Sequence, residues 1–386
     1  MKLKDIGKIV TGKTPSTKQL ENFSELDDKY LFVTPRDMKN NCKYIESTER
    51  YLTSFVEDKF KSQIIKKDSV CISCIGSDMG KVYMINRPGI TNQQINSITD
   101  IKDICNPHYL YYYFSDKKEY LKRIAGGSTM PILNKSTFEN IEIDLPARNI
   151  QDKIVKILNN IDNKIELNNQ TNDNLYAIGK ALYQEYFENE KYMSNYETKQ
   201  LSDVTTNNRN KIDQSKEYKV LSAVNTGNLV LSDDYFNKQV YSKDIGKYLN
   251  VNKYDFAYNP ARINIGSIGL NTFDFNCCVS PVYVTFSVDK DYIDFFDFYF
   301  KSKKFNAEVT LRASGSVRQA LNYNDFGMIE IPYPTKEMID NFNNSYKTLK
   351  ERININKIKI RNLEQLRDTL LPKLMNGEID LDRVEI

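Results

Sequence analysis

The sequence predicts an α+β protein built from two duplicated mixed α/β segments, each followed by a long helix, with the two helices pairing as a coiled-coil-like rod. Three observations carry this. An ordered series of residue matches recurs at a nearly fixed offset of 188 residues (Ala125 to Ala313). In each half a proline is followed by about forty residues whose apolar side chains fall three and four apart. The two helical stretches also carry opposite charge: residues 147–190 hold five Lys/Arg and seven Asp/Glu, residues 335–376 nine and five.

The repeat is clearest where Ala125-Gly126-Gly127-Ser128-Thr129-Met130-Pro131-Ile132-Leu133-Asn134 returns as Ala313-Ser314-Gly315-Ser316-Val317-Arg318-Gln319-Ala320-Leu321-Asn322. The same offset carries Phe138 onto Phe326, Ile141-Glu142-Ile143 onto Ile329-Glu330-Ile331, and Pro146 onto Pro334. Upstream the match is looser. Leu3-Lys4-Asp5-Ile6 parallels Leu201-Ser202-Asp203-Val204, Tyr30–Thr34 parallels Tyr218–Ser222, and Asp68-Ser69-Val70 parallels Asp255-Phe256-Ala257. An ordered series of this kind indicates tandem duplication, and its period is far too long for a solenoid.

Each half opens with short β-like runs, glycine turns and aromatics, then reaches a proline boundary at Pro146, or at Pro332 and Pro334. Proline pushes its predecessor out of the helical region, so each helix starts after it. The first stripe runs through Ile154, Leu158, Ile161, Ile165, Leu175, Leu182 and Tyr186. The second runs through Phe342, Tyr346, Leu349, Ile353, Ile360, Leu363, Leu370 and Leu374. Stripes this narrow resemble a coiled-coil seam, and forty residues span about 60 Å. Pro372 is expected to end or kink the second helix. The boundaries are residues 1–147 and 191–334 for the mixed segments, 148–190 for the first helix, and 335–386 for the second helix and tail.

Composition excludes several classes. Lys+Arg is 54 against Asp+Glu 51, which rules out a polybasic binder, and His108 is the one histidine, which removes chemistry needing several imidazoles. No apolar leader and no run of 18 apolar residues occurs, so a cytoplasmic protein with reduced thiols is expected. Cys71 and Cys74 have CxxC spacing without a second ligand pair, and alternation with Val70, Ile72 and Ile75 reads as a strand. No metal site is expected. There is no Walker-type loop and no G-x-G-x-x-G. Tyr258-Asn259-Pro260-Ala261 is similar to the Asn-Pro-Pro-aromatic motif of amino-methyltransferases but lacks its second proline and aromatic, so a turn at a strand end is expected. Asp289, Asp291, Asp294 and Asp297, interleaved with Phe295, Phe296 and Phe298, read as a helix with a solvated acidic face. Two duplicated heads on a rod, without visible catalytic apparatus, suit a target with two separated half-sites, and duplex DNA is the commonest.

Several strings resemble the DNA-specificity subunit of bacterial type I restriction–modification systems. They are Leu3-Lys4-Asp5-Ile6; Leu145-Pro146 through Gln151-Asp152-Lys153-Ile154-Val155; Ile161-Asp162-Asn163-Lys164-Ile165-Glu166-Leu167-Asn168-Asn169; Tyr258 through Gly266; and Leu370-Leu371-Pro372-Lys373-Leu374-Met375-Asn376-Gly377-Glu378-Ile379. The resemblance spans essentially the whole chain. It implies two target recognition domains, each reading half of a bipartite DNA sequence, and two long antiparallel helices that set the spacer, with pseudo-two-fold symmetry. It also implies no catalysis and no cofactor in this chain. Two modification subunits would use S-adenosylmethionine to methylate adenine N6, and two restriction subunits would use ATP and Mg. The alternatives are a stand-alone methyltransferase or nuclease, and an interaction adaptor that does not touch DNA.

Direct readout favours Arg to guanine and Asn or Gln to adenine. On the duplicated Gly-Ser loop the candidates are Ser128, Thr129, Asn134 and Lys135, with Ser316, Arg318, Gln319 and Asn322 as counterparts. Arg36, Lys39, Asn92, Gln93 and Gln94 are further candidates in the first head. Asn207, Asn208, Arg209, Lys211, Arg262 and Asn264 are taken as their analogues in the second. The alternative for each is a polar group that serves its own loop. Along the helices, Asn168 and Asn356 share the repeat offset and are expected to meet at the centre of the seam, where a buried asparagine fixes register.

Overall fold

The computed structural model describes the chain except residues 39–41, 77–78, 127–130, 190–195, 237–238, 314–319 and 382–386. The chain divides into two compact units, residues 1–169 with 358–386, and residues 170–357. Both long helices, Arg148–Phe187 and Lys336–Met375, pass from one unit into the other. The divides after Asn169 and after Lys357 are equivalent positions of the repeat.

The two units are built on one strand plan. In the first, Lys8–Thr11, Ile95–Thr99, Val70–Ser73 and Val82–Ile85 lie side by side in that order, with Tyr44–Ile45 added at the edge. In the second the same order is Thr205–Asn207, Val284–Val288, Phe256–Tyr258 and Ile268–Leu270. A second sheet in each unit contains a parallel pair, Tyr30–Val33 with Gly89–Thr91 and Lys219–Val224 with Cys277–Val279. The central strands Ile95–Thr99 and Val70–Ser73 are buried along their whole length, polar Asn96, Ser97 and Thr99 included. Cys71 and Cys74 belong to this core, where burial pushes their thiols up to about 12 and about 11.

Smaller details repeat as well. The short helices Leu3–Ile6 and Leu201–Val204 both open with a capping box, closed by Asp5 and Asp203. The amide of Leu3 donates to Ile141 O, and that of Leu201 to Ile329 O, both at 2.9 Å. Asp68 and Tyr254 both take left-handed φ, 64° and 71°, two residues before their strands. Asp68-Ser69-Val70 therefore aligns with Tyr254-Asp255-Phe256, one residue away from the register expected from sequence.

In the second unit the helix Ile293–Tyr299 packs Phe298 among Tyr176 and Tyr183 of one long helix and Phe342 and Tyr346 of the other, with ring centroids 5.3–6.1 Å apart. Each such aromatic pair adds about 0.5–1.5 kcal/mol beyond area burial. Of the acidic row Asp289 is exposed as expected, but the other three aspartates are paired. Asp291 meets Lys336 at 2.7 Å, Asp294 meets Lys350 at 2.5 Å, and Asp297 meets Lys301 at 2.8 Å. Asn343 donates to Asp291 O at 2.8 Å, so Lys336, Asn343 and Lys350 form one heptad-spaced edge facing the aspartates. Asp294 is largely buried, which raises its carboxyl, and Lys350 opposes that shift. Tyr186 Oη lies 3.1 Å from Ser345 Oγ, and Asn356 Nδ2 donates to Asn172 Oδ1 at 3.0 Å, so the long helices run antiparallel here.

The first unit docks the corresponding helix, Pro107–Asp116, by different chemistry. The Tyr112 hydroxyl donates to Asp162 Oδ2 at 2.5 Å, and Asp162 Oδ1 accepts from Arg367 Nη1 at 3.3 Å. Lys43 donates to Asn159 Oδ1 and lies 3.3 Å from Tyr112 Oη. Gln151, fully buried, accepts from the Asn106 amide at 2.8 Å and donates to the carbonyls of Ile104 and Pro146. Ile154, Val155 and Leu158 share an apolar cluster with Leu370 and Leu374, which is again antiparallel. Pro372 does not end the second helix, which runs on to Met375; lacking an N–H, it forgoes the bond to the carbonyl four residues earlier.

The expected pair of asparagines is displaced by one turn. Asn356 is 3% exposed and pairs with Asn172, whereas the Asn168 amide folds back onto its own helix, donating to Lys164 O at 2.7 Å. A mid-helix side-chain amide can satisfy itself on the preceding turn, so the repeat alone did not decide which asparagine enters the seam.

Burial pushes the Lys43 ammonium down to about 8, against the pull of Asp162 and Asp68. The unfolded chain then binds more protons at this site, and the native state gains from a rise in pH between about 8 and 9.5. Five buried thiols with raised pKa act the opposite way over this range. The comparison is therefore between wild type and Lys43→Met. Wild type should gain about 1 kcal/mol relative to the variant from pH 8 to 9.5, measured by urea unfolding at each pH.

Candidate nucleic-acid interface

In the first unit, five chain segments leave the same end of the two sheets. The strand Tyr30–Val33 runs parallel to Gly89–Thr91, and Asn92 N donates to Val33 O at 2.9 Å. This holds the turn of Arg36 beside the turn of Asn92, Gln93 and Gln94. Asp37 closes the Arg36 turn by accepting from the amide and hydroxyl of Thr34 at 2.8 and 2.7 Å, which leaves Arg36 exposed at its tip. The segment after Lys8–Thr11 comes in through Gly12. A Cβ there would stand 2.1 Å from the carbonyl oxygens of Thr91 and Asn92, so only glycine allows the approach. Thr14 then donates to Gln93 Oε1 at 2.6 Å. The last two segments join where Cys74 N donates to Gln94 O at 2.8 Å and Leu133 N to Cys74 O at 2.9 Å.

The second unit builds the same end. Leu321 N donates to Pro260 O at 3.0 Å, repeating the Leu133–Cys74 bond. Asn208 N donates to Thr285 O at 2.8 Å, next to Val284, which pairs with Tyr258. Asn259, Arg262 and Asn264 follow Tyr258 on one loop. The Asn259 side chain accepts from the Ala261 amide at 3.1 Å, so this string is a turn. Gly266, at φ 86°, lies so close to Asn225 that a Cβ would come within 2.8 Å of its carbonyl oxygen.

The candidates separate by what their atoms already do. Asn134 and Asn322 are helix caps: Asn134 Oδ1 accepts from Thr137 N at 2.8 Å, and Asn322 Oδ1 from Asp325 N at 3.0 Å. Lys135 pairs with Glu139 at 3.4 Å. Asn92 and Gln94 hold each other, with Gln94 N on Asn92 Oδ1 at 3.1 Å and Asn92 Nδ2 on Gln94 Oε1 at 3.2 Å. Gln93 is exposed, and the hydrogen bond from Thr14 orients its amide. Asn207, Arg209 and Arg262 are exposed, Asn208 and Asn264 half-buried. Lys211 is drawn off to the edge of the other sheet, bridging to Leu249. Lys39, Ser128, Thr129, Ser316, Arg318 and Gln319 lie outside the described residues.

The structure also corrects the pairing of the heads. The turn equivalent to Asn92–Gln94 is Ser280-Pro281-Val282, at the start of strand Val284–Val288, and the turn equivalent to that of Arg36 is Asn225-Thr226, after strand Lys219–Val224. Both turns were missed in the sequence. The offset of 188 does carry Asn92 onto Ser280, but Pro281 and Val282 have no base-reading side chain to draw attention.

The chain is similar to known proteins in sequence and in fold. A family model described as the type I restriction modification DNA specificity domain matches residues 1–177. The type I restriction enzyme MjaIX specificity subunit of Methanocaldococcus jannaschii is 27% identical over 413 residues, covering 99% of this chain and 94% of that one. The HindI specificity subunit of Haemophilus influenzae is 37% identical over 174 residues, 42% of this chain and 37% of that one. In fold, the chain is similar to the crystal structure of a type I restriction–modification S subunit from M. genitalium, with a TM-score of 0.55 over 97% of this chain and 95% of that one at 15% identity.

Loss of the caps should be a stability effect alone. Asn134→Ala and Asn322→Ala should each cost about 1 kcal/mol, seen as lower thermal midpoints. Arg262→Ala should leave the midpoint within about 0.5 kcal/mol of wild type.

Proposed function

We infer that the chain belongs to the family of DNA-specificity subunits of type I restriction–modification systems, and from that premise we propose that each loop end reads one half of a bipartite duplex target, with the paired helices setting the spacer. The observation that carries this is that one loop end is built twice on a shared backbone plan while the exposed side chains differ. Where the first unit presents Arg36 and Gln93, the second presents Asn225, Thr226 and Val282 in the equivalent turns, with Arg209 and Arg262 nearby. A duplicated frame with divergent tips suits two different half-sites.

Exposed Arg36 and Arg262 are the strongest donors for guanine edges, and Gln93 and Asn207 suit adenine. Phosphate contacts would fix orientation without carrying sequence. Residues 1–146 hold 22 Lys/Arg and 19 Asp/Glu, and residues 197–334 hold 16 of each. With so little net charge, the isolated chain binds DNA weakly, and most phosphate neutralisation falls to partners. Those partners are two modification subunits, which use S-adenosylmethionine to methylate adenine N6, and two restriction subunits, which use ATP and Mg. This chain performs no chemical step and works in the cytoplasm; no helix among the described residues is long and apolar enough to cross a membrane.

Methylation-aware sequencing of host DNA with and without the gene tests the proposal, and should return one bipartite motif with a methylated adenine. A continuous motif, or no change, would count against it. Replacing residues 197–334 with the corresponding segment of a relative should change one half-site and leave the other. Arg262→Ala should lower discrimination at one position by about 1–3 kcal/mol, measured as the ratio of binding to specific and single-mismatch duplexes by the assembled complex.

A further inference from the structure

We propose that Asn96 is a positioning residue that sets how the first unit's loops meet DNA, so that it controls selectivity at one half-site without touching a base. This rests on the reading above. Asn96 sits inside the strand Ile95–Thr99, between Lys8–Thr11 and Val70–Ser73, and is 3% exposed. Its Oδ1 accepts from Thr11 Oγ1 at 2.6 Å, and its Nδ2 donates to Leu133 O at 3.2 Å and lies 3.3 Å from Cys74 Sγ.

One buried side chain therefore ties three of the segments that leave this end. Thr11 leads into Lys13 and Thr14. Cys74 leads into the Gly76 turn. Leu133 follows Ile132, which exchanges a reciprocal pair of backbone bonds with Gly126, Gly126 N to Ile132 O and Ile132 N to Gly126 O, at 3.2 and 2.8 Å. Hydrogen bonds between buried polar groups are directional and costly to leave unmade, so they fix the mutual angle of these segments more tightly than apolar packing would.

The second unit shows that the brace is a separate element from the fold. The residue equivalent to Asn96, by the repeat offset and by strand register, is Val284, which can make no such bonds. There Tyr323, at the start of the helix Tyr323–Gly327, bonds instead to the first residue of the strand Thr205–Asn207: Tyr323 Oη lies 2.9 Å from Thr205 Oγ1 and donates to Thr205 O at 3.1 Å. The strand plan is thus compatible with valine, and Asn96→Val installs the residue its twin already carries.

The test is a methylation map of the complex assembled with its modification partner, for wild type, Asn96→Val and Thr11→Val. The half-site belonging to the first unit is identified by the 197–334 exchange. Asn96→Val should relax that half-site, with discrimination against single-base changes falling about tenfold, while the other half-site stays as in wild type. Thr11→Val, which removes one bond from a partly exposed position, should shift the same half-site by a smaller factor and serves if Asn96→Val does not fold. Unchanged selectivity in Thr11→Val and in any folded Asn96→Val, or equal relaxation of both half-sites, overturns the role of Asn96 and leaves the bipartite reading intact. A wild-type complex that yields no bipartite motif overturns that reading and this inference with it.

Discussion

A forty-residue helix with only a narrow apolar stripe must have that stripe covered along its whole length, and this constraint shapes the molecule. Uncovered, the stripe would expose a row of aliphatic and aromatic groups, each worth about 1.5–3 kcal/mol when buried. Here the stripe is covered in two stretches. In each unit part of one long helix lies antiparallel to part of the other, and a short helix from the mixed segment closes over the pair. Unit boundaries therefore fall inside the long helices, after Asn169 and Lys357, and not at the prolines where the sequence pattern changes. The mixed segments are held at defined places on the helices because they complete the burial.

How each segment completes it differs. In the second unit Phe298 enters a cage of rings, and a row of aspartates faces a heptad of Lys336, Asn343 and Lys350. In the first unit Tyr112, Asp162, Arg367, Lys43 and Asn159 form a hydrogen-bonded cluster around the equivalent contact. After duplication the backbone plan stayed fixed while the chemistry of the dock diverged, as it also did at the loop tips.

The repeat, the helices and the strand-bound cysteines were legible because each leaves a periodic or ordered trace over many residues. What sequence missed has a physical pattern. Asp291 and Asp294 look alike in sequence whether they face water or lysines forty to sixty residues further on, so their partners could not be read locally; Asp297 pairs with Lys301 one turn away. Asn134 and Asn322 were candidates for base contacts because an exposed amide after a Gly-Ser loop suits either a base edge or a helix N-terminus, and the same atoms serve both. Asn172 took the place expected for Asn168 because the two lie one turn apart on nearly the same helix face, so the pattern alone does not say which of them meets Asn356 and which bonds back to its own helix. At the loop ends, sequence singled out Arg36, Gln93 and Arg262 by residue type, and all three are exposed there. Asn96 left no such mark, because it is buried inside a strand and its partners lie at positions 11, 74 and 133.

The two docks also combine their forces differently. Both bury apolar side chains against the paired helices, and the driving force for that burial fades on cooling. Over this shared base the second dock lays Asp–Lys pairs and the first a hydrogen-bonded set around Asp162. Two halves with one backbone plan therefore share their dependence on temperature through apolar burial and part company in the polar contacts added to it.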